Sequence, residues 1–202
     1  MNATPPLLTH LSPLTIPARD GGGVYRSEDE EVQRLAGDLA TWLEEAEPQT
    51  VVRVRLNAPL SASAHARVLG PALRKIASGR RPGRYVVVED PSRENDYDAE
   101  AALEKESRTH KLKLVCVWRE PNQPARLIGA VDAAVDETYI LARDRWTQGE
   151  STTARDLAEA IGASIQSASN RMAKAAQLGV LCQVDESSPE SGGVQRVFVP
   201  IE

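Results

Sequence analysis

The chain is poor in the residues that metal sites, disulfide scaffolds and membranes require. It has two cysteines, Cys116 and Cys182, and three histidines in 202 residues. None of them falls at a metal-ligand spacing. Both cysteines sit in apolar, strand-like runs and read first as buried free thiols in a reducing cytoplasm, with a disulfide or a redox sensor as the alternative. No apolar stretch approaches the roughly 20 residues that span a bilayer, so a transmembrane reading fails. The N-terminus lacks a basic region followed by an apolar run, so a secretory signal is not expected either. A P-loop, a G-x-G-x-x-G after the first strand and a G-x-S-x-G elbow are all missing. Ser61, Ser63 and His65 lie close in sequence, but such proximity is usually structural. Neither an enzyme nor a cofactor is therefore expected.

Basic charge is also scarce. The net charge is −5, and residues 147–202 carry four basic side chains against seven acidic ones. From Ala160 to Val184, however, the only charged residues are Arg171 and Lys174. A locally positive segment on an acidic body is compatible with DNA binding. It implies weak non-specific affinity and reliance on dimerisation or on basic residues elsewhere.

What is present is ordinary globular composition, 41% hydrophobic and 26% charged with 4% aromatic, in an α/β pattern. Residues 1–27, with four prolines and Gly21-Gly22-Gly23, read as an extended, partly disordered arm whose apolar residues pack on its own domain or on a partner subunit. Ser27 opens a helix at capping-box spacing, with Val32, Leu35, Leu39, Trp42 and Leu43 at helical intervals. Val51–Leu56 is a strand of alternating apolar and basic residues, Ser61–Ser78 a helix and Arg84–Asp90 a buried strand. Asn95–His110 follows as a polar helix, then Lys113–Trp118 as a strand and Arg126–Val131 as a short return strand. This order predicts a small, mainly parallel sheet with flanking helices over residues 28–131, a sensor or dimerisation domain. Asp132–Trp146 reads as a stiff helical bridge into a C-terminal domain, 132–202.

That last domain carries the strongest signal. Thr152–Ile161 is a capped short helix with Ala154, Leu157, Ala158 and Ile161 on its apolar face, and Gly162 supplies a tight turn. Ser164 caps a further helix that buries Ile165, Ala168, Met172, Ala175 and Ala176. Gln166, Ser167, Asn170, Arg171 and Lys174 are left outward. Gln and Asn suit adenine, Arg suits guanine, and Lys and Ser suit phosphates, although the same set also occurs on plain solvated helices. Two short apolar runs, Val180–Val184 and Val194–Val199, then bracket a Ser/Pro/Gly loop, which predicts a hairpin.

Thr153–Gly162, Ser169-Asn170-Arg171-Met172, Leu178–Leu181 and Arg196–Pro200 resemble the winged helix-turn-helix domains of bacterial regulators, especially the MarR-like and ArsR-like groups. The resemblance covers about the last seventy residues and implies a C-terminal winged domain on double-stranded DNA. Arg155, Ser164, Gln166, Ser167, Asn170, Arg171, Lys174 and Arg196 are its candidate contacts, with Arg155 and Arg196 on phosphates. One departure is the wing tip, which carries Asp185, Glu186 and Glu190 where basic residues would grip a minor groove. The α/β layout resembles STAS-like domains and, as a competing likeness, Rossmann-like sensor domains joined to winged helices in prokaryotic defence regulators. No motif anchors either.

Ligands of open α/β sheets bind beyond the carboxyl ends of the strands. There the polar run Glu89, Asp90, Ser92, Arg93 and Asn95 is the ligand-binding candidate, against an acidic solvated loop. Gly79–Arg84 reads as a basic surface loop, with assistance to DNA binding or capture of an anion as alternatives. The expectation is a cytoplasmic, homodimeric DNA-binding regulator whose α/β domain dimerises, senses a small molecule or binds a protein effector. The rival reading is an adaptor that uses its winged helix to dock protein.

Overall fold

The structure, a computed structural model, describes residues 8–187 and 194–201. Residues 188–193, which hold Glu190 and most of the expected wing tip, lie outside the described part, as does the side chain of Glu186. The chain opens with β1 (Thr9–His10) and β2 (Leu14–Ile16), then α1 (Glu30–Glu45), β3 (Thr50–Leu56), α2 (Ala62–Ala77) and β4 (Arg84–Glu89). It continues with α3 (Asp96–His110), β5 (Val115–Arg119) and β6 (Arg126–Gly129). These strands make one six-stranded sheet in which β1 and β2 both pair with β3, followed by β4, β5 and β6. All pairings are parallel except β5 with β6. The fold is thus α/β with a mainly parallel sheet.

Because the strands follow one another in chain order, right-handed crossovers put α1, α2 and α3 on the same face. The three helices pack side by side, α2 touching both neighbours. Val52, Val54, Val86, Val88, Cys116 and Trp118 share that face by register, and Trp118 meets His65 of α2 there at 6.2 Å between ring centroids. The other face carries Val51, Tyr85, Val87 and Val117 towards the amino ends of the strands and Arg53, Arg55, Glu89 and Arg119 towards the carboxyl ends.

The C-terminal part comprises α4 (Ala133–Trp146), α5 (Ala154–Ile161), α6 (Ile165–Gln177) and the hairpin β7 (Leu181–Ser187) with β8 (Val194–Pro200). Thr152 adds an antiparallel bridge to Phe198. Buried apolar residues of both parts form one continuous cluster, from Ile16 and Val54 through Tyr139 to Met172 and Val199. Polar ties reinforce it. Tyr139 Oη donates to the Ile201 carbonyl at 3.2 Å, and Arg143 donates to the Ala125 carbonyl at 2.7 Å. Gly179 follows α6 at φ +75°, and a Cβ there would stand 2.8 Å from Ile76 of α2. Glycine allows that close approach between the two parts.

In the extended N-terminal segment, Thr9–His10 and Leu14–Ile16 complete the hydrogen bonding of β3 along its free edge, and Ile16 is fully buried. Two expectations need correction. The first helix is preceded by Asp29, not Ser27, because the Asp29 carboxylate accepts from the Arg26 N–H at 2.8 Å and fixes the entering turn. Ile165 is 54% exposed: as the first residue of α6, it lies off the stripe that packs inward. Cys116 and Cys182 are both buried and free, and burial pushes the Cys116 thiol up to about 12.

Candidate functional site

The α5–turn–α6 segment is built by local chemistry. Thr153 Oγ1 accepts from the Asp156 N–H at 3.2 Å while the Asp156 carboxylate accepts from the Thr153 N–H at 2.8 Å, a reciprocal cap. Gly162 ends α5 at φ 63°, the left-handed conformation that the turn requires. Ser164 Oγ accepts from the Ser167 N–H at 3.2 Å and starts α6. Ala168, Met172 and Ala175 bury one face of α6, leaving Gln166, Ser167, Asn170 and Lys174 exposed on the other. Gln166 Nε2 donates to Asn170 Oδ1 at 3.1 Å, one turn away, so the two amides are held side by side.

The two cations of α6 are not idle. Arg171 pairs with Glu137 of α4 at 2.9 Å and Lys174 with Asp132 at 2.6 Å. Asp132 also pairs with Lys113 ahead of β5, and the two ammonium groups hold its carboxyl well below the usual carboxylate range. Part of the positive charge available to a partner is therefore already neutralised. Arg155 is exposed at the start of α5. Arg196, also exposed, stands opposite Asp185 in the hairpin register. The eight candidates thus divide into an exposed polar stripe on α6, a cap (Ser164), two engaged cations and two outlying arginines.

The polar run after β4, expected to wall a pocket, turns most of its polar groups inward instead. Asp90 and Asn95 are fully buried. The Asp90 carboxylate accepts from Ser92 Oγ at 2.7 Å, from Asn95 Nδ2 at 3.0 Å and from the Asn95 N–H at 3.0 Å. Asn95 Oδ1 in turn accepts from the Leu60 N–H at 2.7 Å. These groups lock the β4–α3 loop to the start of α2, and their hydrogen-bonding capacity is spent inside the protein. Arg93, at φ 61°, donates to the Pro121 carbonyl. Of the five, only Glu89 and Asp90 line the cleft beside this loop.

That cleft, about 410 Å³, brings together residues that sequence reasoning did not select: Arg53 and Arg55 of β3 and Arg119 of β5. Arg55 donates to Glu89 at 2.9 Å, and Arg53 lies 3.6 Å from the same carboxylate. The apolar/basic alternation of Val51–Leu56 was the available signal, since it puts both arginines on one face. In the Gly79–Arg84 loop, Arg81 pairs with Glu44 and Arg84 donates to the Ala46 carbonyl at 2.6 Å, so these two cations brace α1. Among the described residues no cluster could hold a metal ion. No protein-family model, curated protein or solved structure matches the chain.

Proposed function

We propose that the protein is a sequence-specific DNA-binding transcriptional regulator acting as a homodimer, with α6 in the major groove. The observation that carries this reading is the outward stripe of α6, where Gln166, Ser167 and Asn170 are exposed on a helix whose opposite face is buried. Side-by-side amides at one-turn spacing suit the acceptor–donor edge of adenine. The helix pair is followed by an antiparallel hairpin in the position of a wing. Its acidic surroundings favour paired presentation, since one recognition helix with two engaged cations supplies little affinity.

Selection of bound duplexes from a random pool at low salt tests this. Asn170→Ala is expected to cost about 1–3 kcal/mol of discrimination at one base position. Unchanged selection by Asn170→Ala and Arg171→Ala would remove α6 from the interface. Light scattering should give twice the chain mass of 21.9 kDa, and a monomer at micromolar concentration would sink the dimer.

A second reading, a protein-docking adaptor, is favoured by a groove of about 520 Å³ between α4 and α5. Ile140, 38% exposed, Leu141 and Ile161 floor it, and Asp136, Glu137 and Asp144 rim it. Failure to retain any duplex at low salt selects this reading.

A further inference from the structure

On the sheet face away from α1–α3, Arg55, Glu89 and Arg119 are register partners across three adjacent parallel strands. Thr15 of β2 extends the row on the other side of Arg55. Strand spacing of about 4.8 Å sets the row's dimensions, and Arg53 stands one pleat behind it on the same strand as Arg55. The row lies at the carboxyl ends of the strands, where open α/β sheets hold their ligands. The cleft above it, about 410 Å³, falls in the size range of small-molecule sites.

The acids around the cleft are already committed. Glu89 is shared by Arg53 and Arg55, Glu120 pairs with Arg126 at 2.9 Å, and Asp90 is buried among donors of its own loop. Among the described residues, Arg119 forms no ion pair. Beside Arg53, at the edge of the sheet, His10 holds its proton less readily than usual, first through burial and then through the positive charge of Arg53. Three arginines thus face three acids in the lining, and those acids are engaged by other groups.

We propose that this cleft binds a small phosphomonoester, with Arg119 as its principal guanidinium ligand and Arg55 and Arg53 closing on it from β3. A phosphate presents three terminal oxygens, one for each of the three guanidinium groups, whereas a carboxylate presents two. Asn57 and the rings of Pro91 and Pro121 line the cleft beside Asp90 and Glu120 and face the carbon skeleton. Among the described residues none beyond Pro121 lines it, so ligand binding here stands or falls apart from DNA binding by α6.

Calorimetric titration of the full chain at constant ionic strength, with inorganic phosphate, glycerol phosphate and succinate as probes, tests the assignment. Saturable binding of both phosphates is expected, tighter for the ester and weak for succinate. Arg119→Ala should weaken phosphate binding about tenfold or more with an unchanged melting temperature. Arg80→Ala, outside the cleft, should leave it unaltered. Should Arg119→Ala melt early, Arg119→Lys keeps stem and charge but loses the fork, and it is expected to bind more weakly as well. Absence of phosphate binding to the wild type would overturn the proposal, as would wild-type affinity in a well-folded Arg119 variant or succinate binding as tightly as the phosphates. Loss of duplex affinity in Arg119→Ala without any phosphate binding would assign the arginines to nucleic acid and overturn it too.

Discussion

Lys174 of α6 donates to Asp132 Oδ2 at 2.6 Å, and the same carboxylate receives Lys113 from the sheet. Its other oxygen accepts from the Val135 N–H at 2.9 Å and caps α4. One side chain therefore joins three pieces of the molecule: the start of β5, the start of α4 and the outward flank of α6. The Asp132 carboxylate thereby ties α4 to the helix proposed to read DNA.

Asp132→Asn separates the cap from the ion pairs, because asparagine caps helices about as well as aspartate. A loss of about 1 kcal/mol is expected in urea unfolding, shrinking as salt is added, since the carboxylate is partly solvent-exposed. Asp132→Ala should cost about 1 kcal/mol more through loss of the cap. The folded carboxyl titrates below its ordinary value of 3.8. Its stabilisation is therefore complete above that pH and drains away as the pH falls beneath it. Equal stability of wild type and Asp132→Asn at low salt would show that the clasp contributes nothing.

Glu137→Gln releases Arg171 from its 2.9 Å partner. If α6 meets phosphates or bases, removing this acid should tighten duplex binding several-fold at low salt and steepen the salt dependence. Fluorescence anisotropy at two salt concentrations reads both quantities. Weaker binding by Glu137→Gln would place Glu137 itself in the interface.

Gly129 ends β6 at φ +116°, and a Cβ there would stand 2.2 Å from the Leu114 carbonyl oxygen. Gly129→Ala combines a forbidden conformation with a backbone clash and should cost roughly 3 kcal/mol or more. Gly37, on the exposed side of α1, has open space around it. Gly37→Ala should stabilise by about 0.5–1 kcal/mol through helix propensity. Chemical denaturation of the two variants gives opposite signs if the backbone is as described.

His65 is fully buried beside Trp118, and burial lowers its pKa to about 4, only partly offset by Asn95 and by the Asp90 carboxylate. The unfolded chain binds this proton near 6.5, so stability is greatest above that pH and falls as the pH drops towards 4. At about pH 5 the loss from this one group should be about 2 kcal/mol relative to neutral pH. His65→Leu should flatten the profile by that amount, with His10 unchanged in both proteins. Parallel profiles for wild type and His65→Leu would show that the ring is charged or hydrated in the fold.

Much of the architecture is legible in the sequence because its signals are local. Thr153 and Ser164 cap the helices that follow them, Gly162 makes the turn, and the strand and helix order of residues 50–146 follows from periodicity. The expectation for Ser27 fails because two acidic candidates, Glu28 and Asp29, follow it. The choice between such caps depends on which carboxylate the incoming turn can reach. The prolines and glycines before Tyr25 mark an extended arm, and an extended segment is also what the edge of a parallel sheet can accept. Which edge it meets is set by residues 50–56, far along the chain.

The sequence by itself determined most of the elements, most of each buried stripe and the α5–turn–α6 pair, since each depends on neighbours within a few residues along the chain. The tertiary structure decided the charges. Whether Arg171 and Lys174 are open to a partner depends on Glu137 and Asp132, more than thirty positions away. The burial of Asp90 and Asn95 depends on contacts with the start of α2. The arginine row depends on the register of β3, β4 and β5. Electrostatic interactions act between side chains brought together from distant parts of the chain, and their strength depends on the water excluded around them. Neither property is written in local spacing, and for that reason the cleft of Arg53, Arg55 and Arg119 emerged only once the sheet was assembled.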